Sequence, residues 1–187
     1  MSSVSDRNYF NGKDKYFETL LRQFKSKPDL NYLEIGTCEG SSLLWMMESI
    51  LNHPSSRAVS IDSFYDETKN ILLKNLTDRN LLDKVTLLEG YSQKLLRTLP
   101  TDHFDLIYID GSHRAQDVLS DAIQSWELLK IGGMLIFDDY TFINPTQPEH
   151  AKPQYAIDAF LHCFQADLKI LRKSTDVFVT KTRSTYF

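Results

Sequence analysis

The chain has 187 residues, of which 42% are hydrophobic, and a formal net charge of −4. These values suit one domain with a substantial core and exclude wholesale disorder. Apolar runs are short, no secretory leader stands at the N-terminus and Lys and Arg form no block. We therefore expect a cytoplasmic protein with no membrane span and no nucleic-acid partner. Cys38 and Cys163 lie far apart in unrelated contexts, which favours two free thiols over a disulfide.

Helical and strand patterns alternate through the first 140 residues. Apolar spacing predicts helices over 14–26, 42–51, 66–82, 93–98 and 114–130. Short buried strands are predicted over 31–35, 58–61, 85–88, 104–109 and 134–137. The pair Gly132-Gly133 is expected to end the fifth helix. This alternation is typical of a parallel sheet with right-handed helical crossovers.

The pattern changes after residue 140. Residues 141–153 contain three prolines and no period, so they are expected to form a loop on the substrate side. A helix follows over 155–164, and then strands over 168–172 and 177–181. The gap between those strands is too short for a helical crossover, so they should be antiparallel. The prediction is one α/β domain over 1–187, a Rossmann-like doubly wound sheet of seven strands, mostly parallel with the last one antiparallel. Residues 1–13 are expected to form a flexible extension.

Polar residues gather where the predicted strands end, the edge at which open α/β sheets bind ligands. Gly36 and Gly40 allow a tight turn after the first strand, and the helix start behind them offers N–H groups to an anion. The dinucleotide fingerprint G-x-G-x-x-G is incomplete, since Cys38 and Ser41 replace two of its glycines. Asp62 ends the second strand, where a carboxylate can accept both ribose hydroxyls. The alternative for Asp62 is an exposed turn residue.

Acidic residues also end the fourth and fifth strands. Asp110 and Asp138 should project from neighbouring strands about 5 Å apart, and Asp139 follows directly. Two close carboxylates repel, so either one is protonated or a cation lies between them. An all-oxygen site favours Mg²⁺, Mn²⁺ or Ca²⁺, although either aspartate could instead cap a following turn. His113 opens the next helix, where it could take a proton from a substrate hydroxyl or serve as a cap or surface residue.

Five segments occur in a fixed order: YLEIGTCEGSS, VSIDS, LLEGYSQ, FDLIYIDGSH and GGMLIFDDY. This series resembles the motif series of class I S-adenosylmethionine-dependent methyltransferases. It is most similar to the small-molecule O-methyltransferases, in the branch that includes macrolide-sugar methyltransferases and proteins related to cephalosporin hydroxylase. The likeness covers residues 30–180, and its most specific parts are IDGSHR and FDDY.

The resemblance implies roles for the matching positions. The residues that would bind S-adenosylmethionine are Glu34, Gly36, Gly40, Ser42, Asp62, Ser92 and Gln93. Of these, Ser42 would lie near the methionine carboxylate, Asp62 would hold the ribose, and Ser92 with Gln93 would face the adenine. Asp110, Asp138 and Asp139 match the metal ligands of catechol-type O-methyltransferases, in which the third ligand is usually Asn. His113 stands where those enzymes carry a lysine base.

These observations together predict S-adenosylmethionine-dependent O-methylation of a small-molecule hydroxyl. A divalent ion, expected to be Mg²⁺, would fix the acceptor, and Asp110 and His113 would be the catalytic residues. One alternative is a nicotinamide-dependent oxidoreductase on the same fold, which the incomplete glycine fingerprint disfavours. Another is a non-catalytic cofactor-binding domain, which the intact acidic triad disfavours. A second subunit could cover part of the substrate, so a homo-oligomer is also considered.

Overall fold

The computed structural model describes residue 10 and residues 12–184. The strands are β1 (Asn31–Ile35), β2 (Arg57–Asp62), β3 (Val85–Glu89), β4 (Phe104–Ile109), β5 (Leu129–Phe137), β6 (Leu168–Lys173) and β7 (Val177–Lys181). The α-helices are α1 (Asp14–Leu20), α2 (Ser41–Ser49), α3 (Thr68–Asp78), α4 (Ser92–Leu95), α5 (Ala115–Leu128) and α6 (Pro153–Cys163). Short 3₁₀ turns lie at Leu82–Lys84, Leu96–Thr98 and Glu149–Ala151. The expected sequence of elements is therefore present.

The seven strands form one sheet in the order β3-β2-β1-β4-β5-β7-β6. Strands β1 to β5 run parallel to one another, whereas β7 runs antiparallel to both β5 and β6. The predicted Rossmann-like sheet with a late antiparallel strand is confirmed. The chain order reverses between β1 and β4, so the crevice expected to bind ligands opens above these two strands.

Two apolar layers cover the sheet, because successive residues of a strand point to opposite faces. On β4, Tyr108 packs into the layer that contains Met46 of α2, together with residues of α1 and α3. Its neighbour Ile107 packs into the opposite layer, with Trp126 of α5 and Phe160 of α6. The strand ends are thereby fixed between two helical layers, which positions the loops that follow them.

Two boundaries differ from the sequence prediction. The first helix stops at Leu20 and continues only as turns. The expectation that Gly132-Gly133 would end the fifth helix is wrong: α5 stops at Leu128, and both glycines lie inside β5. Phe104 pairs with Leu129 and Leu106 with Met134, so β5 bulges where the glycines stand. A Cβ on Gly133 would lie 2.9 Å from the backbone oxygen of Lys130, so this bulge favours glycine.

Three further expectations concern the segments outside the sheet. Residues 141–152 form a loop with one 3₁₀ turn, as predicted. Cys38 and Cys163 are free thiols, which confirms the preferred reading. Residues 1–9 and 11 of the expected N-terminal extension lie outside the described residues, whereas Phe10 is buried and Lys13 is partly buried. Among the described helices, none combines the length and apolar character that crossing a membrane needs.

Candidate active site

A cavity of about 780 Å³ opens along the carboxyl edge of the sheet. Each of the first five strands contributes the residue at, or directly after, its end: Gly36, Asp62, Gly90, Asp110 and Asp138. A volume of this size is in the range of small-molecule and cofactor sites. The topology thus gathers the polar strand ends around one cavity, with β2 and β3 on one side of β1 and with β4 and β5 on the other.

Close packing around the turn after β1 favours glycine at two positions. Gly36 has a φ of 89°, and a Cβ there would lie 2.0 Å from the backbone oxygen of Asp110. Gly40 has a φ of 92° and directly precedes α2, where a Cβ would meet a Leu72 methyl group at 2.5 Å. Gly36 lines the cavity, but Gly40 acts from outside it by setting the start of α2. Both positions need the left-handed conformation that favours glycine.

Glu34 is fully buried on β1 and supports the cavity from below. Its carboxylate accepts hydrogen bonds from the hydroxyl groups of Tyr32 and Ser42, the latter at 2.8 Å. Burial raises the pKa of Glu34 to about 7, although these hydrogen bonds oppose the shift. Ser42 lines the cavity and Glu34 does not. Glu34 therefore holds Ser42 and the first turn of α2 in place.

Asp62 connects the loops that follow β1 and β2. Its Oδ2 accepts the backbone N–H of Cys38 at 2.8 Å, and its Oδ1 accepts that of Phe64 at 2.8 Å. Each carboxylate oxygen has two lone-pair positions, so both oxygens can accept another donor. Asp62 also lines the cavity. It is placed to receive the hydroxyls of a ligand while bracing both loops.

Ser92 and Gln93, at the start of α4, line the cavity beyond β3. The buried Ser92 hydroxyl donates to Oδ1 of Asp121 at 2.7 Å, which ties α4 to α5. Burial raises the pKa of Asp121 to about 6. Sequence reasoning missed Asp121, although a signal was present. It lies three residues after Val118 and one before Ala122, on the apolar face of the helix.

Asp110, His113 and Asp139 meet at the other side of the cavity. One possible ligand atom from each lies within 4.8 Å of the others. Burial, together with the charges of Asp138 and Asp139, raises the pKa of Asp110 well above its usual range. Within residues 12–184 nothing donates a side-chain or backbone hydrogen bond to the Asp110 carboxylate. This half-buried acidic group thus lacks a compensating donor.

His113 is held by a carboxylate and by an aromatic ring. Its Nε2 lies 2.5 Å from Oδ2 of Asp139, and this hydrogen bond raises the pKa of the imidazole despite partial burial. The ring of Phe142, from the loop after β5, lies 4.4 Å from the imidazole between centroids. The side chain is therefore oriented from two directions at the edge of the cavity.

Asp138 has different partners from Asp110, although both follow neighbouring parallel strands. Its carboxylate accepts hydrogen bonds from the Lys13 ammonium, the Tyr108 hydroxyl and the backbone N–H of Asp139. Burial would raise the pKa of Asp138, but the neighbouring Asp176 carboxyl group and the charge of Lys13 lower it. The structure thus groups His113, rather than Asp138, with Asp110 and Asp139.

Sequence reasoning missed Lys13 because it stands in the segment interpreted as an extension, where no periodic pattern marks it. Its ammonium also lies 3.0 Å from Oδ1 of the buried Asp176. Lys13 lines the cavity beside Phe10. The N-terminal segment therefore contributes a positive charge to a site that is otherwise strongly acidic.

A family model described as a methyltransferase domain matches residues 33–140, which is more than half of the chain. The chain belongs to the methyltransferase domain family. The matched segment contains every site residue proposed from the sequence, from Glu34 to Asp139. The resemblance to class I methyltransferases that the motifs indicated is thereby confirmed.

One relative of this methyltransferase domain is a viral protein. An uncharacterized protein of Acanthamoeba polyphaga mimivirus is 35% identical over 131 residues, which cover 66% of this chain and 57% of that protein. The chain thus spans little more than half the length of this curated relative.

Solved structures with the same fold include two methyltransferases. The O-methyltransferase TomG from Streptomyces achromogenes, involved in tomaymycin synthesis and solved with SAM, has a TM-score of 0.72 and 19% identity. That match covers 91% of this chain and 80% of TomG. MycE, a methyltransferase of the mycinamycin biosynthetic pathway solved with Mg and SAH, has a TM-score of 0.65 and 14% identity, over 91% of this chain and 50% of MycE. At these identities the likeness establishes the fold.

Proposed function

We propose that this protein transfers the methyl group of S-adenosylmethionine to a hydroxyl group of a small molecule, with the help of a divalent ion. The observation that supports this proposal most directly is that one cavity of a methyltransferase domain has two chemically different sides. Asp62 and Ser92 lie on the β2–β3 side, and the Asp110–His113–Asp139 group lies on the β4–β5 side. TomG with SAM and MycE with Mg and SAH have the same fold, which supports both halves of the proposal.

The β1–β3 side fits S-adenosylmethionine, which when bound supplies a methyl group already activated on a sulfonium. The proposed contacts are Gly36, Ser42, Asp62, Ser92 and Gln93, all of which line the cavity. The start of α2 suits the methionine carboxylate, the remaining lone pairs of Asp62 suit the ribose hydroxyls, and α4 suits the adenine. Glu34 and Gly40 would act from behind, by fixing the first turn of α2.

The β4–β5 side fits a divalent cation by the chemistry of its donors. Asp110 is a half-buried carboxylate without a hydrogen-bond donor in the described part of the chain, and Asp139 and His113 stand beside it. We propose Asp110 and Asp139 as the carboxylate ligands; the third sequence candidate, Asp138, is held by Lys13. A divalent ion would lower the pKa of an acceptor hydroxyl and fix its position, and carboxylate oxygens favour Mg²⁺.

We assign His113 the role of the base. Asp139 holds Nε2 of the ring, and Nδ1 is without a hydrogen-bond partner among the described residues. The neutral ring would take the proton of the acceptor hydroxyl as the oxygen attacks the methyl carbon. Asp139 would stabilise the resulting imidazolium, and Phe142 would limit the access of water to it. Alignment of the two reactants by the cavity supplies the rest of the rate enhancement.

The acceptor is proposed to be a small molecule rather than a nucleic acid. Six carboxylates line the cavity, at Glu39, Asp62, Asp110, Asp117, Asp138 and Asp139, and the buried carboxylates of Glu34 and Asp176 stand beside it. Within the described chain, Lys13 is the ammonium that contacts this group. With a net charge of −4, such a surface repels a polyphosphate backbone.

The homo-oligomer and the cytoplasmic location stay predictions.

Calorimetry with S-adenosylhomocysteine and with NADH tests the proposal directly. The wild-type protein should bind the former and not the latter. Asp62→Ala should weaken S-adenosylhomocysteine binding by about 10- to 100-fold, because charge-assisted hydrogen bonds contribute about 1.5–3 kcal/mol. Asp78→Ala, which removes an exposed carboxylate from α3, is the matched control and should bind normally. Binding of NADH alone would refute the proposal, and undiminished affinity in a folded Asp62→Ala variant would remove Asp62 from the site.

A further inference from the structure

Lys13 lies directly before α1 and reaches two buried carboxylates that are far from it in sequence. Its Nζ contacts both oxygens of Asp138 and lies 3.0 Å from Oδ1 of Asp176. The hydroxyl of Tyr16, one turn further along, donates to the other oxygen of Asp176. Asp176 is fully buried, and the side chain of Lys13 is 20% exposed. The N-terminal helix is thus fastened across the end of β5 by a charge-assisted network.

The hydrogen bonds of Asp138 use all of its lone pairs. Oδ1 accepts from Lys13 and from the backbone N–H of Asp139, and Oδ2 accepts from Lys13 and from the Tyr108 hydroxyl. A carboxylate offers about four acceptor positions. A divalent ion could coordinate Asp138 only if one of these donors left, and the donor that the ion would repel is the ammonium. Asp110, by contrast, receives no hydrogen bond at its carboxylate from the described residues.

We propose that Lys13 is a tethered cation that competes with a divalent ion for Asp138. While Lys13 is in place, an ion is confined to the carboxylates of Asp110 and Asp139, beside the imidazole of His113. Coordination by Asp138 would require Lys13 to leave. Lys13 is therefore a positioning residue that determines which carboxylates can bind the ion. This inference rests on the proposed metal site.

Titration of Mn²⁺ by calorimetry, in the presence of S-adenosylhomocysteine, tests the competition through a double-mutant cycle. Asp138→Asn in the wild-type background should change the Mn²⁺ affinity by less than about threefold, because Asp138 is already occupied. Lys13→Met should tighten Mn²⁺ binding about tenfold or more, since it frees one carboxylate and removes a nearby positive charge. In the double variant, Asp138→Asn should abolish that gain. Lys15→Met removes an exposed lysine of α1 and is the matched control, with unchanged affinity expected.

Lys13→Met leaves two buried carboxylates without their cation, so thermal melts must accompany each titration. Should that variant not fold, Asp138→Asn alone decides: a tenfold loss of Mn²⁺ affinity would make Asp138 an ordinary ligand and overturn the inference. A folded Lys13→Met with unchanged affinity, or a wild-type protein that binds no Mn²⁺, would overturn it too. Failure of S-adenosylhomocysteine to bind would instead refute the proposed function. The same cycle, run with Mn²⁺ alone, would then still test the competition.

Discussion

Glu34→Gln isolates the cost of a buried charge beneath the cofactor side of the cavity. Glu34 is fully buried, and burial raises its pKa to about 7 from 4.5. A glutamine has nearly the same shape and can still accept one hydroxyl hydrogen bond, but it cannot ionise. The change therefore removes a pH-dependent contribution to stability and leaves the packing of β1 and α2 nearly intact.

The expected magnitude follows from the difference between the two pKa values of Glu34. The pKa is higher in the folded state, so the folded protein binds the proton more tightly than the unfolded chain does. The stability contributed by this proton is fully present below pH 4.5 and is lost as the pH rises through about 7. The rise of this pKa from 4.5 to about 7 corresponds to about 3 kcal/mol, because a tenfold change in an equilibrium constant is about 1.36 kcal/mol. The wild-type protein should lose this amount relative to Glu34→Gln.

Urea unfolding at half-unit intervals from pH 4.5 to pH 8.5 measures this difference. Subtracting the two free energies of unfolding at each pH cancels the other titrating groups, including Asp121, whose pKa is raised to about 6. The stability of Glu34→Gln relative to wild type should rise by about 3 kcal/mol across the range. Glu127→Gln, at an exposed position of α5, is the matched control and should give a flat difference.

The reasoning is refuted if the difference in free energy of unfolding between Glu34→Gln and wild type changes by less than about 0.5 kcal/mol across this pH range. Smaller changes lie within the usual precision of linear extrapolation. Such a flat difference would mean that the hydrogen bonds from Tyr32 and Ser42 stabilise the carboxylate as fully as water does. If the stability of Glu34→Gln relative to wild type fell as the pH rises, the pKa of Glu34 would be lowered rather than raised in the folded state. Either outcome would require a different account of why a carboxylate is buried beneath Ser42.

Two further predictions concern the acceptor side. His113→Gln should lower turnover by about 100-fold or more and leave the Mn²⁺ affinity within about threefold, as expected for a general base; a tenfold loss of Mn²⁺ binding would instead make His113 a ligand. Replacing residues 142–148 with a Gly/Ser linker should impair kinetics with an acceptor while sparing S-adenosylhomocysteine binding, because Phe142 lies against His113. Unchanged acceptor kinetics in that variant would reduce the loop to a surface connection.

The strands were predictable because each is a short apolar run between polar or glycine-containing turns. β1, β4 and β7 begin and end at the predicted residues, and the antiparallel end of the sheet follows from the short gap before β7. Gly132 and Gly133 were misinterpreted because a glycine pair after a helical pattern has two uses. It can end a helix or permit a bulge, and only the pairing of β5 with β4 selects the second.

The candidate site was predictable to the extent that chain order determines it. In a parallel sheet the residues after each strand meet at one edge, which is how Asp62 and Asp110 could be placed in one cavity. Lys13 could not be found in this way. It contacts Asp138 and Asp176 over separations of 125 and 163 residues, through side chains that no local pattern connects. These contacts of Lys13 form only where α1 packs against the completed core.

Asp110 and Asp138 show why sequence position alone does not determine the state of a carboxylate. They directly follow paired residues of adjacent strands, Ile109 and Phe137, and so occupy equivalent positions at the strand ends. Two such carboxylates require either a proton or a cation. At Asp138 the cation is the chain's own Lys13, and the pKa is lowered. At Asp110 burial and the charges of Asp138 and Asp139 raise the pKa, and among the described residues no ammonium contacts this carboxylate. Asp110 is therefore the carboxylate left for a proton or a cation, and a divalent ion bound there should displace a proton.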